Sequence, residues 1–166
     1  MVSQRGVRFV QATTPDQLNA AVSVRHQVFV LEQEVPVVLE VDARDYLPTT
    51  KHVVGYALTE DGEELPVAAG RLLEIPTEAG RAFWIGRVAV HKDGRGTGLG
   101  KRVMDTLVAL ARGDLGPGES APVFLDAQVS AIGFYARLGF RPTDDPVFME
   151  AGMPHQRMVL ELAGEA

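Results

Sequence analysis

The residues best suited to chemistry lie in one glycine-rich loop, Arg95-Gly96-Thr97-Gly98-Leu99-Gly100-Lys101. The apolar run at 88–90 predicts a buried strand before the loop, and apolar residues at helical spacing predict a helix after it. The first N–H groups of a helix lack internal acceptors, and the helix dipole favours negative charge there. Glycines let a phosphate approach the backbone, while Arg95 and Lys101 add positive charge. The segment therefore predicts a pyrophosphate site on the backbone of residues 95–101.

Two other phosphate-binding loops do not fit this segment. A Walker A loop requires Ser or Thr after its Gly-Lys pair, but Arg102 follows Gly100-Lys101. A dinucleotide fingerprint that used Gly96 and Gly98 would require a third glycine at position 101, which is lysine. A glycine-rich turn that binds no ligand stays open as an alternative on these residues alone.

The composition limits the possible functions. The chain has no cysteine, which excludes a disulfide framework, a thiolate zinc site and a cysteine nucleophile. A net charge of -6 argues against broad electrostatic binding of nucleic acid. No segment approaches the roughly 20 apolar residues that cross a bilayer, and residues 1–8 show no secretory signal. We therefore expect a cytoplasmic protein that binds neither membrane nor nucleic acid. We expect it to be a monomer or a homodimer.

The four histidines show no spacing typical of metal ligands, which predicts that the chain binds no metal. They are His26, His52, His91 and His155.

The pattern of elements predicts one α+β domain over residues 1–166, built on one sheet with helices on both faces. Strands are predicted over 7–11, 52–59, 66–75, 81–91, 122–127 and 155–162, and helices over 15–31, 99–112 and 129–138. Thr14-Pro15-Asp16-Gln17 is typical of a capping box, and Asp61-Gly62 is typical of a hairpin turn. Residues 35–50 read as a loop or a broken helix, and 142–154 as irregular.

Two motifs resemble those of the GNAT acetyltransferases. Arg95, Gly98 and Gly100 form the Arg-x-x-Gly-x-Gly pattern of motif A. The segment from Gln128 to Phe140 is similar to motif B, with Tyr135 on the tyrosine of that family and Gln128 in place of its usual Asn. The segments 25–36, 85–90 and 150–155, with Asp42 and Asp45, resemble the ElaA-type branch of the family, and the likeness spans most of the chain.

The resemblance implies a mostly antiparallel sheet of six or seven strands in which the fourth and fifth strands splay apart. Acetyl-CoA would lie in the gap as co-substrate. Its pantetheine arm would run along Val88, Ala89 and Val90, and the N–H groups of residues 95–101 would hold its pyrophosphate. The amide of Gln128 would orient the arm, unless Gln128 only begins the helix.

The resemblance also implies a direct attack of an amine on the thioester. Tyr135 would then donate a proton to the departing thiolate, unless it only packs behind the sheet. The base stays open among several residues, of which His155 has the first claim to a role in the site. The candidates are Glu32, Asp42, Asp45, His52, Glu74, Asp126 and His155.

Four residues are candidates for binding the acceptor amine. Arg25 and Glu32 are two helical turns apart, so they could form an acceptor-binding pair or a structural salt bridge. Arg71 could pair with Asp42 or Asp45 in either role. The acceptor itself, a small-molecule or peptide amine, is not identified by the sequence.

Two other functions share some of these residues. An acyl-homoserine-lactone synthase carries similar residues at Arg25, Phe29, Asp42 and Asp45, but that family lacks the Arg-x-x-Gly-x-Gly loop. A non-catalytic acetyl-CoA sensor would keep the loop and lose the chemistry, and the retention of Tyr135 argues against it.

Overall fold

A computed structural model describes residues 6–166 and places eight strands in one sheet. They are β1 Val7–Gln11, β2 Lys51–Leu58, β3 Glu64–Thr77, β4 Gly80–Val90, β5 Ser120–Gln128, β6 Arg141–Pro142, β7 Phe148–Glu150 and β8 Met153–Ala163. The helices are α1 Pro15–Arg25, α2 Val37–Glu40, α3 Leu99–Asp114 and α4 Ile132–Arg137. The strand order is β1-β2-β3-β4-β5-β8-β6, and β7 pairs with β8.

The fourth and fifth strands diverge, as the resemblance implied. They pair in parallel only from Phe83 to Ile85, whereas β4 stays paired with β3 as far as Val90. β5 stays paired with β8 as far as Gln128. Past Ile85 each strand therefore follows its other neighbour, and a gap opens between them.

A β-bulge lies where the gap begins. Ala69 of β3 is opposite Ala89, but Arg71 is opposite Gly86, so β4 contains one extra residue. Arg87 lies in the bulge with φ of 53°. A bulge bends its strand, which accounts for the divergence of β4 from β5 at this point.

The first helix begins as predicted and then changes its winding. Thr14 Oγ1 accepts from the Gln17 N–H at 3.3 Å, and Gln17 Oε1 accepts from the Thr14 N–H at 3.2 Å, which is a capping box. After Arg25 the chain continues as a π-helical segment, His26–Glu32, whose last turn closes with the Gln33 N–H on Val28 O at 3.1 Å. The chain therefore stays helical to the predicted end, but with a wider turn.

The two faces of the sheet are covered by different helices. Ala21 and Val24 of α1 pack on one face against Val54, Ala69 and Ala89. On the other face, Val103 and Leu107 of α3 come so near that a Cβ at Gly70 would lie 2.7 Å from each. Gly70 therefore allows α3 to lie close to β3.

Two strands that the sequence did not predict, β6 and β7, lie in or beside the segment 142–154, which was predicted as irregular. β7 and β8 form a hairpin whose two loop residues, Ala151 and Gly152, have φ of 50° and 76°. Positive φ at both positions is what a type I′ turn requires, but Ala-Gly is a weak signal for that turn. With the two-residue β6, this hairpin raises the expected six or seven strands to eight.

None of the helices within residues 6–166 is long and apolar enough to cross a membrane. The prediction about a secretory signal rests mainly on residues 1–5, which lie outside the described part of the chain.

Candidate active site

A cleft of about 890 Å³ opens at the gap between β4 and β5. At one end it is lined by Val88, Val90, Arg95, Gln128 and Tyr135. The other end is lined by side chains of α2, β3 and the β7–β8 hairpin. The volume falls within the usual range for sites of small molecules.

The glycine-rich loop ends where α3 begins. Gly98 is the residue before the first helical turn, and it has φ of 84° with no side-chain cap. Gly96 has φ of 75°, and both glycines are exposed. Because the first N–H groups of a helix have no internal acceptors, α3 presents open donors at this exposed turn, as a phosphate requires.

Packing holds the loop in place from behind. Leu99 is buried in an apolar cluster with Val7, Ala57 and Val67, so only its backbone is available to a ligand. A Cβ at Gly94 would lie 2.7 Å from Leu99 Cδ1, and the Thr97 hydroxyl donates to Gly94 O. The loop therefore has a fixed shape before any ligand binds.

The loop is also packed against the helix that carries Tyr135. A Cβ at Gly100 would lie 3.3 Å from Phe134 Cζ of α4. Lys101 points away along α3 and pairs with Asp105 at 2.6 Å. Among the loop side chains, Arg95 lines the cleft.

Arg95 is held at the entrance to the gap. Its Nε donates to Val90 O at 3.1 Å, and its Nη2 lies 2.8 Å from Glu32 Oε2. The neighbouring Gln33 accepts from Gln128 Nε2 at 3.2 Å. We call Glu32 and Gln33 the strap, because they contact Arg95 on the β4 side of the gap and Gln128 on the β5 side.

The backbone of β4 faces the gap at alternate residues. The His91 N–H donates to Val67 O of β3 at 2.8 Å. Because N–H and C=O groups alternate between the two edges of a strand, those of Val90 and Val88 face the gap. Ala89, which lies opposite Ala69, directs its backbone to β3 instead. Of the three residues predicted to pair with pantetheine, Val88 and Val90 therefore present backbone groups to the gap, and Ala89 does not.

Tyr135 lines the cleft from α4 as a partly buried phenol. Its ring packs edge-on against Phe134 at 5.0 Å and Phe140 at 6.3 Å. Burial raises the pKa of Tyr135 to about 12. No hydrogen bond to its hydroxyl is made within residues 6–166, so a protonated donor stays available in the cleft at physiological pH.

His155 is a buried residue of the cleft, 8% exposed, at the start of β8 opposite Gln128. Its Nδ1 lies 2.8 Å from Met153 O. A carbonyl only accepts, so Nδ1 carries a proton, and in the neutral imidazole Nε2 keeps its lone pair. The ring stacks on Phe148 at 5.8 Å, which fixes its orientation. This arrangement suits a base that receives a proton at Nε2.

Arg25 is buried rather than placed for an acceptor, and its predicted pairing with Glu32 is wrong. Its Nε lies 2.6 Å from Glu40 Oε1, and its Nη1 lies 2.8 Å from Asp45 Oδ1, with Arg25 0% exposed. Glu32 pairs with Arg95 instead. Because the π-helical segment has more residues per turn, seven residues no longer make two turns, and the two side chains separate.

The predicted pairing of Arg71 is confirmed with both acids. Its Nη1 donates to Asp42 Oδ1 at 3.1 Å and to Asp45 Oδ1 at 2.9 Å. Burial alone would raise the pKa of Asp45, but hydrogen bonds from Arg25 and Arg71 outweigh it and hold that pKa well below its usual range. Asp42 and Arg71 also line the cleft, so the buried cluster reaches its wall.

The sequence prediction missed several residues of the cleft. Arg87 donates to the carbonyls of Leu39 and Glu40, both at 2.9 Å, which ties the bulge to α2. Arg157 lies 4.7 Å over the ring of Trp84 and pairs with Asp126 at 2.9 Å. The alternation of residues 153, 155 and 157 on one face of β8 is the signal that could have found this wall.

Within residues 6–166 the structure brings together no group of three His, Asp or Glu side chains that could hold a metal ion.

Comparisons with known proteins agree with this geometry. The family model described as the acetyltransferase (GNAT) domain matches residues 49–162. The chain is 34% identical to the uncharacterized N-acetyltransferase YjcF of Bacillus subtilis, over 92% of this chain and 99% of that protein. It is similar to the crystal structure of Escherichia coli ElaA, with a TM-score of 0.75 and 28% identity over 96% of this chain and 99% of that one. An acyl-CoA N-acyltransferase from Pseudomonas aeruginosa also has a TM-score of 0.75, with 31% identity over 92% and 98% of the two chains.

Proposed function

The chain belongs to the GNAT acetyltransferases, in the branch that contains ElaA, and we propose that it transfers the acetyl group of acetyl-CoA to a primary amine of a small molecule or peptide. The observation that carries this proposal is the gap between β4 and β5. It has the open N–H groups of α3 beside one end, and both Tyr135 and His155 line its walls.

The residues present fit acetyl-CoA as a substrate. The N–H groups at the start of α3 and the guanidinium of Arg95 suit the pyrophosphate. The backbone groups of Val88 and the N–H of Val90 suit the amides of pantetheine, because they face the gap without a partner strand. Val90 O already accepts from Arg95 Nε. The acetyl group would then lie deeper in the gap, near Tyr135.

The chemistry follows from these positions. The amine nitrogen forms a bond to the thioester carbon, and the carbon–sulfur bond breaks. His155 Nε2 accepts the proton that the amine loses, and Tyr135 donates one to the departing sulfur. A thiol in water has a pKa of about 8.5, well below that of Tyr135. If the sulfur lies buried in the cleft, its pKa would be raised as well, which would reduce the difference between the pKa values of the two groups.

The cofactor site is tested by thermal unfolding with acetyl-CoA, S-adenosylmethionine or ATP. A ligand at ~100 times its Kd adds about 2.7 kcal/mol of stability. We expect protection by acetyl-CoA alone. Gly98→Glu should abolish it, because a carboxylate would occupy the anion site. Gly62→Glu is a matched control, since Gly62 has φ of 83°, close to the 84° of Gly98, but lies in the β2–β3 turn.

Release of free thiol from acetyl-CoA with a panel of amines then tests catalysis. An enzyme releases thiol when an acceptor is present, whereas a sensor never does. Protection by S-adenosylmethionine instead of acetyl-CoA would contradict the proposal and favour a lactone synthase.

A further inference from the structure

We propose that the acceptor is a primary amine on a single apolar group of about the size of a ring, bound at the end of the cleft remote from the glycine-rich loop, an assignment that rests on the acetyl transfer proposed above. We call this end the acceptor slot. It is lined by Val38 and Leu39 of α2, Leu73 and Ile75 of β3, and Trp84 of β4.

Three apolar side chains of the acceptor slot are exposed to solvent. Val38 is 83% exposed, Leu39 is 55% exposed and Ile75 is 38% exposed, although all three line the cleft. Leu73 lies directly opposite Trp84 in the β3–β4 pairing, so the two strands add a continuous apolar wall. A ligand that covers these side chains gains the free energy of removing them from water. A ligand with polar groups on all sides does not.

The charged side chains of the slot are mostly neutralised by one another. Asp126 pairs with Arg157 at 2.9 Å, and Asp42 pairs with Arg44 at 2.7 Å as well as with Arg71. A polyamine or an aminoglycoside needs several free carboxylates, and these acids are already occupied. The slot therefore does not suit a ligand with many positive charges.

Glu150 is the acid of the slot that makes no ion pair within 4.0 Å among residues 6–166, although Arg44 and Arg157 lie near enough for its charge to raise the pKa of both. It lies on the same face of the β7–β8 hairpin as His155, because Glu150 is opposite Met153 and Phe148 is opposite His155. Both Glu150 and His155 line the cleft. A single ammonium group would thus be attracted to Glu150 and meet Nε2 of His155 nearby, while its apolar substituent covers the slot.

The first test is an acceptor panel at saturating acetyl-CoA, with thiol release as the readout. The apolar amines are 2-phenylethylamine and hexylamine, and the polar ones are spermidine, kanamycin and glycinamide. We expect kcat/KM for the better apolar amine to exceed that of every polar amine by about 10-fold or more, as apolar pockets discriminate on this scale. A polar amine as the best acceptor overturns the inference.

Variants assign the effect to the slot. Ile75→Ser should raise KM for the best apolar amine about 10-fold and leave kcat within about twofold. Leu65→Ser is the matched control, because Leu65 lies on the same strand, is 50% exposed and does not line the cleft. Equal KM values for the two variants contradict the assignment.

Glu150→Gln should raise KM for the same amine by several-fold, since one charge–charge contact at an exposed site is lost. An unchanged KM removes Glu150 from the proposal. Protection of unfolding by acetyl-CoA is measured in parallel and separates the two proposals. A protein that acetyl-CoA protects but that prefers spermidine keeps the transferase function and loses this inference, whereas a protein without protection loses the function itself.

Discussion

At the scale of single residues, different surroundings suit Tyr135 and His155 to the opposite tasks that we propose for them. Burial keeps the phenol of Tyr135 protonated, and the cleft gives its hydroxyl no partner within residues 6–166. The Met153 carbonyl holds the proton of His155 on Nδ1 and leaves Nε2 as an acceptor. One cleft wall therefore offers a donor and another offers a base.

Replacement of Tyr135 by Phe should separate catalysis from binding. The ring packing stays, but the proton donor is lost, so we expect kcat to fall about 100-fold or more while the Kd of acetyl-CoA is unchanged. Release of free thiol measures kcat, and thermal protection by acetyl-CoA measures its Kd. Tyr56→Phe is the control, because Tyr56 is also partly buried but does not line the cleft. Full activity of Tyr135→Phe would remove the phenol from the mechanism.

The sequence predicted the positions of residues best where the signal is a short motif with fixed spacing. The glycine-rich loop and Tyr135 lie in short motifs, and the structure places Arg95 and Tyr135 in one cleft. Arg25 was misplaced because its partners, Glu40 and Asp45, are 15 and 20 residues away. Helical periodicity predicts on which face of a helix a residue lies. It does not reveal which residues of a later segment pack against that face.

At the scale of elements, the strap of Glu32 and Gln33 connects the two sides of the gap. The π-helical winding that ends at Glu32 directs this side chain to Arg95. Its carboxylate therefore occupies the guanidinium that we assign to the pyrophosphate. In the proposed complex, the pyrophosphate would compete with this carboxylate for Arg95.

Glu32→Gln should consequently strengthen the binding of acetyl-CoA. Both side chains are partly exposed, so the contact contributes at most about 1 kcal/mol, and we expect the Kd to fall by about two- to fivefold. Isothermal titration measures the change. Pantetheine, which has no pyrophosphate, should bind both proteins equally. Glu34→Gln is the control, because it removes the same charge two residues away. An equal effect of both variants would mean that binding depends only on the negative charge near the site and not on the contact between Glu32 and Arg95.

Elements were predicted well where they carry their own signals. β1 was predicted with its observed bounds, and the cap of α1 was predicted from Thr14 and Gln17. The β7–β8 hairpin was missed because Ala151-Gly152 is a weak turn signal and the flanking strand has three residues. This hairpin carries Glu150 and His155, so the sequence predicted His155 as a site residue but did not show that Glu150 lies on the same face beside it.

At the scale of the whole molecule, a buried group of charges holds the α1–β2 region against the sheet. Three arginines, Arg25, Arg71 and Arg87, meet three acids, Glu40, Asp42 and Asp45, within ion-pair distance. A buried charge that loses its partner is costly, so the cluster is stable only when all members keep their charge. Its acids come from the segment between α1 and β2, which also supplies part of the acceptor slot.

The same cluster makes stability depend on pH through His52. His52 is 4% exposed, its Nε2 lies 2.9 Å from Asp45 O, and its Nδ1 has no partner in the described chain. Burial lowers the pKa of His52 below the value of about 6.5 that it has in an unfolded chain. Between these two pKa values the unfolded state binds more protons, so the free energy of unfolding falls as the pH falls below about 6.5.

His52→Gln removes the pH dependence that His52 gives to the free energy of unfolding, since glutamine can donate to Asp45 O but does not titrate. We expect wild type to lose more stability than His52→Gln between about pH 7.5 and pH 5.5, in urea unfolding measured at both values. His91→Gln serves as the control, because His91 is partly exposed and lies outside the cluster. Below about pH 4 both proteins should lose stability together, because Asp42 and Asp45, whose pKa values the arginines hold down, must then take up protons. Parallel pH curves for wild type and His52→Gln above pH 5 would show that the histidine is not a buried neutral member of the cluster.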